Sequence, residues 1–163
     1  MPEAVIVAAA RSPIGRAHKG SLTEMRADDL ATAMMRAALS QVPALDPHEL
    51  DDVVVGCAQP AGEQGYNLGR MVALQLGLDD VPGTVVHRYC ASSLQAIRMA
   101  FHAIRAGEGH AFGAVGVEVV SRYDRGKADG APGTHNPRYA AAEERCREGL
   151  AIARELKRRE KAA

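Results

Sequence analysis

The chain has 163 residues, enough for one ordinary domain with a substantial core. Its 20 Lys and Arg balance 20 Asp and Glu, and it holds 4% aromatic residues and no Trp, so neither charge nor aromatic content favours a nucleic-acid or acidic-membrane partner. The widely spaced Cys57, Cys90 and Cys146 make neither a disulfide framework nor a paired metal-binding motif, and no metal is expected.

The run "AVIVAAA" (4–10) has strand length and predicts a strand covered on both faces. No basic segment precedes it and it is far too short to span a bilayer, so the expectation is a protein without a membrane segment, in a reducing cytoplasm. A loop follows, marked by Pro13, Gly15 and Gly20. "TEMRADDLATAMMRAALSQV" predicts a helix whose apolar stripe is Leu30, Ala33, Met34, Ala37 and Ala38, with Pro43 beyond its end.

"DDVVVGCA" (51–58) predicts a second buried strand, and "YNLGRMVALQLGL" (66–78) a second helix closed by Gly77. "VPGTVVHRYC" (81–90) predicts a third strand that runs directly into a third helix, from Ala91 to the neighbourhood of Ala106. Leu94, Ile97, Phe101 and Ile104 form the stripe of that helix, and Gly107 caps it. "AFGAVGVEVVS" (111–121) predicts a fourth strand. The order βαβαβαβ implies an α/β fold with a mostly parallel sheet between helix layers. Residues 1–122 form the expected domain. Residues 123–163 read as a loop rich in Gly, Pro, Asp and Arg, followed by a charged carboxyl-terminal helix. Its basic end "KRREK" fits a solvated helix terminus, with cations at the negative end of the dipole, better than a nucleic-acid tail.

Cys90 stands where a strand meets a helix without a linker, and in open α/β sheets sites gather at the carboxyl ends of strands. A thiol there faces unpaired N–H groups and the positive end of a helix dipole, both of which favour thiolate. A sharp turn would expose it, Ser92 and Ser93 add hydroxyls, and the Cys90 N–H could face a developing oxyanion. An inert, buried cysteine explains the position equally well. A thiolate nucleophile also needs a base. Strand alternation puts His87 and Tyr89 on one face and Arg88 and Cys90 on the other. His102 lies far along the helix, His110 at the far end of the crossover, and His18 and His135 in loops. Cys57 and Cys146 have no comparable setting.

The segment "VVHRYCASSLQAIRMAFHAIRAGEG" resembles the active-site segment of thiolases, the enzymes that cleave or form 3-ketoacyl-CoA. "AVIVAAARSPIGRAHKGSL", "RADDLATAMMRAAL", "DDVVVGCAQPAGEQGYNLGRMVALQLGL" and "GVEVVSRYD" resemble, in order, the first half of the same family, and the Arg-Tyr-Cys-Ala-Ser-Ser-Leu-Gln version is similar to a branch associated with actinobacterial lipid and steroid side-chain breakdown. The resemblance implies a thiolase-like amino-terminal half with Cys90 as nucleophile. It would form an acyl-enzyme from acetyl-CoA or a 3-ketoacyl-CoA, and its N–H would serve in an oxyanion hole. Coenzyme A thioester is then substrate, with no separate cofactor. The family's Gly-His-Pro histidine, Cys-x-Gly cysteine and Asn-Glu segment belong to its second half and have no counterpart in this sequence. A fifth strand has no candidate after residue 125. His87 stands where Asn is usual and His110 where an acidic residue is common.

The implied partners are therefore an acyl-CoA substrate and either a second copy, paired through the strand before Cys90, or a complementing chain that carries the second half. The alternative is a truncated thiolase-like protein that serves as an association module without turnover, or a gene remnant. In an intact thiolase the third helix packs against the second half, so an open apolar face on that helix would favour an obligate partner or a remnant.

Overall fold

The computed structural model describes residues 2–17, 19–122 and 158. The chain falls into two compact units, Met1–Pro132 and Gly133–Ala163; the elements named below belong to the first, and the helical residue Arg158 to the second. Three strands form one parallel sheet. β1 (Asp52–Gly56) lies between β2 (Gly83–Val86) and β3 (Phe112–Gly116), with Val54 opposite Thr84 on one side and Ala114 on the other. Central position explains its composition: Val53, Val54 and Val55 are all buried, so the strand is continuously apolar rather than alternating.

The sheet is covered by α1 (Ala27–Leu39), α2 (Leu68–Leu76) and α3 (Ser92–Ala106). Val53, Val55, Cys57, Val115 and Val117 share one core with Ala27, Ala31 and Met35 of α1 and Leu68, Val72 and Ala73 of α2. α3 lies against the alternate positions, over Gly56 and Gly116, so α1 and α2 occupy one face of the sheet and α3 the other. α2 and α3 both end on left-handed glycines, Gly77 at φ 86° and Gly107 at φ 79°, as their sequences predict.

The α/β class and the parallel sheet are as expected, but the apolar pattern misplaces several features. Residues 4–10 form no strand, and Val5, Ile6 and Val7 are 65%, 78% and 70% exposed. A run of strand-forming residues becomes a strand only when a neighbour takes its N–H and C=O groups. Among the described residues no strand pairs with this run, and its Ala9 carbonyl accepts from the Gln41 side chain at 2.9 Å. The expected strands 81–90 and 111–121 are likewise shorter, and the second gives way to a 3-10 turn at Val120–Arg122.

On α1 the buried face is Ala27, Asp28, Ala31, Thr32 and Met35, one position away from the expected stripe, and Ala33 is exposed. Polar residues disguise that face. Asp28 is fully buried and accepts from Arg26 Nε at 3.0 Å and Gln75 Nε2 at 3.1 Å, while Thr32 Oγ1 donates to Gln75 Oε1 at 2.6 Å. Arg26 reaches on to Glu63 at 2.8 Å. α1 is thus tied to α2 and to the loop after β1 by a satisfied polar network that a hydrophobicity count overlooks.

On α3 the expected stripe faces outward: Leu94, Ile97 and Phe101 are 67%, 44% and 46% exposed, and Ile104 is half-buried. The buried residues are Ser92 and Ala96. Small residues let the helix approach the sheet closely, and its larger apolar side chains lie on the far side. No helix among the described residues is long and apolar enough to cross a membrane. The expected loop and carboxyl-terminal helix, with His135 and Cys146, lie outside the described residues apart from Arg158, and so does His18.

Candidate active site

After Val86 the chain leaves the sheet and turns sharply. Arg88 has φ −145° and ψ 42°, Tyr89 a left-handed φ of 45°, and residues Tyr89–Ala91 form a 3-10 turn before α3 begins at Ser92. A left-handed φ is uncommon for a bulky residue and persists only where its surroundings impose it. Here Ser92 imposes it. Its buried hydroxyl donates to the Tyr89 carbonyl at 2.6 Å and accepts the Arg88 N–H at 2.9 Å, closing the turn on both sides. Arg88 is also held from α3, through Nη1 to Gln95 Oε1 at 2.7 Å.

The first turn of α3 is seated on two glycines. A β-carbon on Gly56 would overlap the Ser92 carbonyl group and the Ser93 nitrogen, and one on Gly116 would overlap the Ser93 side chain. Gly56 and Gly116 are the last residues of β1 and β3 and are paired in register. The turn that carries Cys90 is therefore held at the carboxyl edge of the sheet, where ligands bind in such folds.

Cys90 at this turn is exposed, which removes the buried-cysteine account of it. Its N–H makes no hydrogen bond among the described residues. Cys57 is the opposite case. It is fully buried, and burial first, then the neighbouring Glu118 carboxylate, pushes its thiol up to about 12. A thiol so shifted is inert near neutral pH.

The histidines do not gather at Cys90. The His87 ring meets the Tyr89 ring edge-on at 4.7 Å between centroids, but both residues lie beyond the end of β2, so the turn and not the expected strand alternation brings them together. His102 contacts Phe101 at 5.3 Å on exposed α3, and His110 is exposed ahead of β3. Among the described residues no hydrogen bond joins Cys90 to a histidine, and no group of His, Cys, Asp or Glu side chains has the arrangement of a metal site.

Two elements of the site escape a reading of the residues alone. Ser92 is visible in the sequence only as a hydroxyl near the cysteine, whereas its structural task is to close the turn. Glu118, beyond the end of β3, accepts the Ala58 N–H at 2.6 Å and the Gln59 N–H at 3.3 Å on one oxygen and Gln64 Nε2 at 2.7 Å on the other. No local signal marks it, because all its partners are more than fifty positions away. Gly56 and Gly116 are a weaker case, since a glycine ending an apolar run signals close approach without naming the partner.

The family described as "Thiolase, N-terminal domain" matches residues 4–157. The chain is 48% identical over 136 residues to the beta-ketoadipyl-CoA thiolase of Acinetobacter baylyi, covering 82% of this chain and 34% of that protein. It is 46% identical over 123 residues to the 3-oxoadipyl-CoA/3-oxo-5,6-dehydrosuberyl-CoA thiolase of Escherichia coli, covering 75% of this chain and 30% of that one. Among solved structures, the acetyl-CoA acetyltransferase of Bacillus anthracis is similar with a TM-score of 0.68 and 35% identity, over 74% of this chain and 30% of the other. The chain spans about a third of the length of the curated relatives it matches.

Proposed function

From the premise that this chain belongs to the thiolase family and carries its amino-terminal domain, we propose that Cys90 is the nucleophile of an acyl-CoA C-acyltransferase. The observation that supports this most directly is the exposed cysteine on a closed turn at the amino end of α3, beside an N–H without a partner among the described residues. The sulfur of Cys90 attacks the carbonyl carbon of an acyl-CoA thioester, and the carbonyl oxygen becomes an oxyanion facing the Cys90 N–H. Collapse breaks the carbon–sulfur bond to CoA, whose thiolate takes up a proton, and leaves the acyl group on Cys90. With a 3-ketoacyl-CoA, attack falls on the keto carbon and the carbon–carbon bond breaks. The leaving acetyl-CoA carbanion then takes up a proton. A second substrate removes the acyl group in ping-pong order.

Both routes need a proton donor and acceptor, and no described histidine bonds to Cys90. Turnover therefore calls for groups from outside the described residues, which is part of the proposal. The relatives' names point to 3-ketoacyl-CoA substrates, including those of dicarboxylic acids. The uncovered Leu94, Ile97 and Phe101 favour a partner that buries α3, and they equally suit a second reading, an association module that does not turn over.

Acetyl-CoA and the purified chain, read by intact mass with Cys90→Ser alongside, separate the two readings. An acetyl adduct on the wild type that the variant lacks is the expected result. A folded wild-type chain that takes no acetyl group, alone or with a complementing chain, overturns the enzyme reading.

A further inference from the structure

The Glu118 carboxylate ties the chain beyond β3 to the loop that follows β1. One of its oxygens accepts two successive backbone N–H groups, Ala58 and Gln59, directly after β1. The other accepts the amide of Gln64, which is itself nearly fully buried. Gln64 closes the circuit by donating to the Gln59 carbonyl at 2.9 Å and accepting the Val119 N–H at 2.6 Å. Cys57 Sγ lies 3.7 Å from the same Glu118 oxygen that accepts the two N–H groups. Every polar atom of the two side chains is engaged, and the circuit fastens the chain beyond β1 to the chain beyond β3.

That junction is the seat of α3. Gly56 is one residue before Cys57, and its α-carbon leaves no room for a side chain beneath Ser92 and Ser93. Gly116 is two residues before Glu118 and lies against Ser93. A shift of either strand end moves the first turn of α3. The turn closed by Ser92 is continuous with that first turn, so the setting of Cys90 changes with it.

We propose that Glu118, through Gln64, is a positioning residue for Cys90: it fixes the two strand ends on which the amino end of α3 rests. The role in catalysis rests on the reading of Cys90 as nucleophile, whereas the role in thiol reactivity does not. Loss of a carboxylate does not by itself raise the pH midpoint of Cys90 alkylation. Loss of the aligned helix end moves it up.

The test uses the full chain as wild type, Glu118→Gln and the exchanged pair Gln64→Glu with Glu118→Gln. In the exchange, the amide placed at position 118 retains an acceptor for the Ala58 N–H and donates to the carboxylate placed at position 64. That carboxylate in turn retains an acceptor for the Val119 N–H. The bond to the Gln59 carbonyl is given up, and a carboxylate oxygen at position 64 then faces that carbonyl. Iodoacetamide alkylation of Cys90 is followed by peptide mapping across pH, with circular dichroism as the check on folding and intact mass after acetyl-CoA as the second readout.

The expected result is a raised midpoint in Glu118→Gln, a loss of about tenfold in acylation wherever the wild type acylates, and recovery of both in the exchanged pair. An unchanged or lowered midpoint in folded Glu118→Gln overturns the proposal, and so does an exchanged pair that folds without recovering. A wild type that never acylates, combined with the raised and restored midpoint, defeats the reading of the function and leaves the positioning role standing. If Glu118→Gln does not fold, the exchanged pair decides alone, by matching the wild-type midpoint or failing to.

Discussion

The Ser92 hydroxyl donates to the carbonyl of Tyr89 at 2.6 Å, across the residue whose left-handed φ of 45° turns the chain from the sheet into α3. The serine is buried, so water cannot replace it. Ser92→Ala leaves the Tyr89 carbonyl and the Arg88 N–H without this partner, at an expected cost of about 2 kcal/mol in unfolding free energy. Urea denaturation measures it, and an unchanged midpoint would remove Ser92 from the account of the turn.

Gly56 admits no side chain, because the obstacle above it is backbone of α3 rather than a flexible side-chain end. Gly56→Ala is expected to cost about 3 kcal/mol and to slow alkylation of Cys90 in whatever folded protein remains. Thermal melting and peptide mapping provide both numbers.

The two described cysteines are expected to differ in reactivity because one is buried and the other exposed. Burial and Glu118 hold the Cys57 pKa at about 12, and Cys90 is exposed. At pH 8, iodoacetamide in a Cys146→Ser background labels Cys90 and spares Cys57 until the protein is unfolded. Labelling of Cys57 in the native state would contradict the described core.

Asp52 opens β1 with one carboxylate oxygen, Oδ1, buried and without a hydrogen-bond partner, and burial raises its pKa above the ordinary 3.8. The folded state then holds the proton more tightly than the unfolded chain does. The penalty is absent below the ordinary value, accumulates as pH rises through the raised one, and is complete above it. Asp52→Asn is therefore expected to raise the melting temperature at pH 7 and to lose that advantage below about pH 4. A constant difference across the range would assign the effect to something other than ionisation.

The outward face of α3 offers a separate test. Leu94→Lys and Phe101→Lys change exposed positions and are expected to alter monomer stability by no more than about 0.5 kcal/mol. Ala96→Leu, at the sheet contact, should cost about 2 kcal/mol. If a partner covers α3, the two lysine variants abolish that association in sedimentation runs while they melt normally.

Much was legible in the residues: the strands around "DVVVG" and "GTVV", the helices with their Gly77 and Gly107 ends, the α/β class and the position of Cys90 at a strand–helix junction. These follow from local chemistry, since periodicity, turn residues and chain order act over a few positions. Three things were decided only by the tertiary structure. Residues 4–10 have the composition of a strand, but strand formation depends on a neighbour supplied by another part of the chain. The stripe of α3 has the right period, yet a period cannot say which side meets the sheet, and the small Ser92 and Ala96 win because Gly56 and Gly116 permit close approach. The polar ties of Asp28 and Glu118 join residues tens of positions apart, and hydrogen bonding across such distances leaves no mark in any local window of sequence.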